Sequence, residues 1–144
     1  MGITELLALL PQLIVATGIL FALILISWQR SQRIISLFTK GILLLALFAS
    51  ITSFSGQSTN VTILMLVDDY SRYSFALVCL TGLCVVYLSR LTLTRQIEVH
   101  DEYYLLVLLV VLGAGILVAS DHFASLFLGF ELLSISLVGL VGYL

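Results

Sequence analysis

Residues 6–28 read LLALLPQLIVATGILFALILISW, an apolar run of 23 residues that carries no charge. A hydrocarbon core of about 30 Å is crossed by about 20 residues of helix, because no water is present there to satisfy an exposed backbone. The run is therefore long enough to span a bilayer. A secretory signal has a shorter apolar core of about 7–15 residues behind a basic leader. Here the acidic Glu5 precedes the run, which reads as a retained span. Pro11 falls near its start, where a missing N–H costs few hydrogen bonds.

Working outward, the same pattern recurs at 34–54, at about 71–89, at 103–119 and at 122–144. Polar punctuation separates these runs: Gln29 to Arg33, Ser55 to Asn60, the pair Asp68 and Asp69, the charged stretch from Arg90 to Glu102, and Ser120 with Asp121. Residues 61–67 are apolar but too few to span, and read as an interfacial or loop-packed piece. The composition agrees with spans, being 61% apolar and 10% charged with a mean hydropathy of +1.22. Soluble domains are about 45–50% apolar and about 25% charged, so this chain has too few polar groups to cover a water-facing surface. The expected fold is an all-α polytopic membrane helix bundle of about five transmembrane helices, a single membrane domain over 1–144.

The net charge of -2 makes no basic surface for nucleic acid. Two cysteines without a CxxC pattern provide neither a disulfide framework nor a zinc cluster. Short loops rich in Lys and Arg stay cytoplasmic. Arg30, Arg33 and Lys40 lie where spans one and two join, and Arg90 and Arg95 between spans three and four, whereas Arg72 alone lies on the other side. The N-terminus is expected outside the cytoplasm and Leu144 near it.

Within the spans one acidic residue lies far from either edge. Glu131 is the tenth of 23 residues counted from His122, roughly 13–14 Å along the helix and close to the bilayer midplane. An acidic group at a helix centre costs about 2.5–3.5 kcal/mol to insert, so such a residue is expected to face a protein interior or a wet cavity on an ion or proton route. The competing structural reading is a carboxylic acid that hydrogen-bonds a neighbouring helix. Ser134 follows three residues later, placed to bond it or to hold a water.

Lys40 lies six residues into span two, roughly 9 Å deep, and is expected to snorkel to the headgroups. Asp69 and Arg72 have the i, i+3 spacing of a surface pair beside Asp68 at a helix start. His122 beside Asp121, and His100 beside Glu98, Asp101 and Glu102, read as polar flanks although imidazole is suited to proton relay. Cys79 and Cys84 read as core residues. Gly115 with Ala119, Ser125 with Gly129, and Gly139 with Gly142 mark expected close approaches between helices. No dinucleotide, P-loop, HExxH or nucleophile-elbow pattern is present, and no metal site is expected.

The last third of the chain adds a resemblance. DEYYLLVL at 101–108, DHFASLFLGFELLS at 121–134 and LVGY at 140–143 resemble the subunit N family of proton-pumping NADH-quinone oxidoreductase, the respiratory complex I subunits related to cation/proton antiporters. Spans one to three agree in pattern. Asp68 resembles the aspartate of that family's DG motif, with Asp69 where the glycine would stand. The resemblance implies proton translocation coupled to electron transfer from NADH to quinone. It assigns Glu131 to the proton path, as the carboxylate that sets the proton affinity of a lysine on a later, broken helix. Ser134, His122, Asp68 and Lys40 are accessory candidates.

The chain is then expected to be the N-terminal portion of a longer subunit with no cofactor of its own. NAD, flavin, iron–sulfur clusters and quinone would belong to other subunits of the complex. The implied partners are the other membrane subunits and the lipid bilayer, in a cell inner membrane or an organelle's inner membrane. Alternative readings are a subunit of a multisubunit cation/proton antiporter or membrane-bound hydrogenase, and a truncated, non-transporting structural membrane protein.

Overall fold

The computed structural model describes residues 3–28, 31–53, 59–93 and 101–143. Arg30, Arg95, Glu98 and His100, on which part of the charge reading rests, lie outside the described residues. In chain order the elements are α1 (Ile3–Ala8), α2 (Leu10–Trp28), α3 (Gln32–Thr52), β1 (Thr59–Thr62), β2 (Met65–Val67), α4 (Asp69–Leu93), α5 (Glu102–Val118) and α6 (Phe123–Gly142). Four of the helices, α2, α3, α4 and α6, are long and apolar enough to cross a membrane, and α5 is a shorter apolar helix. The chain is an all-α polytopic membrane bundle carrying one small hairpin.

Two helix starts have a local cause. The first span starts at Leu10 rather than Leu6, with a break at Leu9 that leaves α1 as a separate piece. Pro11 has no N–H to give the carbonyl four residues back, and its ring crowds that turn. It occupies the first turn of α2, where neither matters. Helix α4 begins at Asp69, two residues before the sequence pattern suggests, because Asp68 caps it. The Asp68 carboxylate accepts from the Ser71 N–H at 2.9 Å, and the Ser71 hydroxyl receives the Asp68 N–H at 3.1 Å. This reciprocal arrangement satisfies two donors at the start of the helix.

Residues 61–67 fall in a two-stranded antiparallel hairpin, pairing Thr59 with Val67, Asn60 with Leu66 and Thr62 with Met65. The hairpin closes one end of the bundle. The Leu66 N–H donates to the Ala119 carbonyl at 3.0 Å and the Asp121 N–H to the Leu64 carbonyl at 3.1 Å. The Ser125 hydroxyl donates to the same Leu64 carbonyl at 2.7 Å. Backbone groups left over where α5 ends and α6 begins thus find partners, while Val67 packs with Ala8 and Ala119 beneath the hairpin.

Helix α5 is the centre: it packs on α2, α3, α4 and α6, and every residue of it is at least partly covered. The main core gathers Val15 and Ile19 from α2, Leu43 and Ala46 from α3, Phe75 and Cys79 from α4, and Leu108 and Val111 from α5. Large apolar side chains elsewhere face outward, among them Phe21, Leu45, Phe48 and Val138. In lipid, burying such groups gains nothing over leaving them against acyl chains, so helix association rests on close packing and hydrogen bonds. Gly115 leaves room for the Phe75 ring, and Gly139 lies against Leu106. Gly142, expected at a close approach, has nothing near the position a Cβ would take. Between α3 and α4 the Ser50 hydroxyl donates to the Arg72 carbonyl at 2.7 Å.

Candidate functional site

Helix α6 packs chiefly on α5 and is the least covered of the four long spans, with 17% of its apolar stretch buried. The fully buried residues of its inner face are small: Ser125, Gly129 and Ser136. A Cβ on Gly129 would stand 2.9 Å from the Leu117 nitrogen and 3.2 Å from the Gly113 carbonyl oxygen. The two backbones therefore meet directly there.

Glu131 follows Gly129 by two residues, about 200° around the helix, which sets it on the opposite, outer face. Its side chain is exposed. Phe127, Leu128, Ile135 and Val138 surround it at helical spacing and are 53%, 58%, 67% and 73% exposed. Eight residues separate it from Phe123, about 12 Å of rise, close to the middle of the helix. The sequence reading expects this carboxylate to face a protein interior or wet cavity. Instead it stands on the exterior of the bundle, because the small residues take the inner face. Among the described residues no side chain bonds it, and Ser134, three residues on, is half-buried.

The other candidates are dispersed. Asp68 and His122 each start a helix. His122 caps α6, its Nδ1 accepting from the Ala124 N–H at 3.3 Å, with the side chain exposed. Asp69 pairs with Arg72 at 3.2 Å as the i, i+3 spacing suggests, but Arg72 is 5% exposed and so buried rather than superficial. Lys40 is half-buried on α3, and its ammonium sits 5.3 Å from the centroid of the Tyr87 ring on α4. A cation over an aromatic face is held by the ring quadrupole, so the side chain turns to α4. Helix α3 packs on α2, α4 and α5, and α6 on α5; Lys40 and Glu131 are not brought together.

The two cysteines part company, Cys79 being buried and Cys84 exposed, which corrects the expectation that both belong to the core. Their separation of five residues puts them about 140° apart on α4, enough for one to leave the core. Among the described residues no group of three or more His, Cys, Asp and Glu could hold a metal ion. Tyr87 escapes the sequence reading, since an aromatic in a span has no signal that marks it as a partner for a lysine on another helix.

One carboxylate thus stands at mid-span on an apolar outer face of an edge helix, with no side-chain partner among the described residues. A carboxylate in such surroundings can take up or release a proton. No protein-family model matches the chain.

Proposed function

We propose that this chain is the N-terminal portion of an antiporter-like membrane subunit of an energy-converting NADH-quinone oxidoreductase, and that Glu131 lies on its proton path. The observation that carries the reading is the exposed Glu131 at the middle of α6. Facing lipid, an acidic group at that depth costs about 2.5–3.5 kcal/mol, whereas facing a helix with a cation or donor it is stabilised. The low coverage of α6 and the apolar residues beside Glu131 are what a helix buried by further protein would present. The resemblance of residues 121–134 to the complex I subunit family supports the choice of this kind of protein.

In this reading a lysine on a later helix or a neighbouring subunit faces Glu131. The carboxylate stabilises the charged lysine, and separating the two favours release of its proton. Quinone reduction elsewhere in the complex supplies the free energy. The chain performs no redox step and holds no cofactor. In this reading the end away from the hairpin, where Arg33 and Arg90 lie, faces the cytoplasm, and the membrane is a cell inner membrane.

The test is Glu131→Gln in native membranes, scoring assembly together with proton uptake driven by NADH oxidation. Assembly is expected to persist while proton movement falls at unchanged electron flow or with it. Normal pumping by an assembled variant overturns the assignment and leaves a structural bundle. Pumping that depends on Glu131 but is indifferent to NADH moves the chain to a cation/proton antiporter or membrane-bound hydrogenase.

A further inference from the structure

We propose that the groove between α3 and α4 binds one anionic phospholipid, its phosphate at Lys40 and an acyl chain laid along the helices. The groove has a volume of about 460 Å³ and is lined by Lys40, Leu44, Leu83, Cys84, Tyr87 and Leu88. Its walls are almost wholly apolar, Lys40 lining them with its hydrocarbon stem while its ammonium rests over Tyr87, the pattern of a site for an amphiphile.

Charge decides which amphiphile. The Lys40 ammonium rests over Tyr87, and among the described residues it has no carboxylate partner. Arg33, exposed, precedes Lys40 by seven residues; that spacing is two turns on the same stripe of α3, about 10 Å nearer the helix end. Two cations thus follow one another toward the basic end of the groove. Tyr87 stands six residues before Leu93, the last residue of α4, about 9 Å from that end. This is a depth at which a headgroup meets its tails.

A zwitterionic lipid brings its own ammonium to a site already cationic, and an apolar protein helix brings no anion. A lipid with a net negative phosphate matches both the walls and the charge. Basic pockets between spanning helices recognise acidic headgroups in this way, each Lys or Arg adding about 1 kcal/mol, or about fivefold.

The test is native mass spectrometry of the full chain in mild detergent, after exchange with equal amounts of phosphatidylglycerol and phosphatidylcholine. The wild type is expected to retain the anionic lipid in preference. Lys40→Gln is expected to lower that preference about fivefold, and Leu44→Trp, which fills the groove and keeps both charges, to lower adducts of both lipids. Arg33→Gln, at an exposed position, serves where the lysine variant does not fold, and is expected to weaken the preference in the same direction. Equal retention of the two lipids by the wild type overturns the proposal. So does a preference that survives both charge variants, which would make it a general surface effect, or one that survives filling of the groove.

Discussion

The contact between α5 and α6 can be tested by adding one carbon atom. In Gly129→Ala the new Cβ would stand 2.9 Å from the Leu117 nitrogen, 3.1 Å from the Ile116 Cγ2 and 3.2 Å from the Gly113 oxygen. Two of these are backbone atoms with no rotamer to change, so α6 must move away from α5. Overpacking of this kind costs about 1–3 kcal/mol. Alanine in a helix interior gains about 0.8–1.0 kcal/mol over glycine by propensity, which must be removed from the comparison. Gly41→Ala does this, since Gly41 is inside α3 with nothing within 4 Å of a Cβ. The difference between the two variants isolates the strain, and reversible unfolding of the purified chain in mixed micelles measures it. The expected result is that Gly129→Ala lies about 1–3 kcal/mol below Gly41→Ala in stability. Equal stability of the two would refute the direct backbone packing of α5 on α6.

Three further outcomes are expected. Asp68→Ala, which loses the cap on the Ser71 N–H, should cost about 0.5–2 kcal/mol, and Asp68→Asn only a few tenths; hydrogen exchange at the start of α4 reads the difference, and an equal loss in both variants would mean that the charge rather than the cap matters. A small, membrane-permeant thiol reagent should add one mass to the folded chain, at Cys84 and not at Cys79, as their exposures require; modification of both, seen by peptide mapping, would contradict the packing of α4. Ile63, 90% exposed at the hairpin turn, should, when changed to cysteine, be labelled by an impermeant reagent added outside intact cells. Labelling only after permeabilisation would reverse the orientation drawn from the basic residues.

The spans were legible because a continuous apolar run has one stable outcome in a bilayer. Their ends were less so. Pro11 moved the start of α2 and Asp68 that of α4, and each effect depends on a single residue whose partner lies one turn away. The hairpin at 59–67 was visible only as a run too short to span; its strands hold because carbonyls and N–H groups at the α5–α6 turn pair with them, a relation some 55 residues distant in sequence. At the site, the depth of Glu131 followed from counting residues, but its direction did not. The spacing of Ser125, Gly129 and Ser136 marks a small-residue face opposite Glu131, and that pattern, weighed with the helix period, points the carboxylate outward. Lys40 over Tyr87 had no such signal, because which face of α3 meets α4 is decided by the packing of the whole bundle.

The most direct test of the central claim asks what covers the face of α6 around Glu131. A photoreactive amino acid at Val138, 73% exposed and about 20° around the helix from Glu131, would be irradiated in native membranes and the adducts identified by mass. The account predicts a cross-link to protein, either a later helix of a longer chain or a neighbouring subunit, with a lysine or another donor at the depth of Glu131. Adducts to lipid alone would contradict it, and would leave Glu131 facing the bilayer with no proton path to serve.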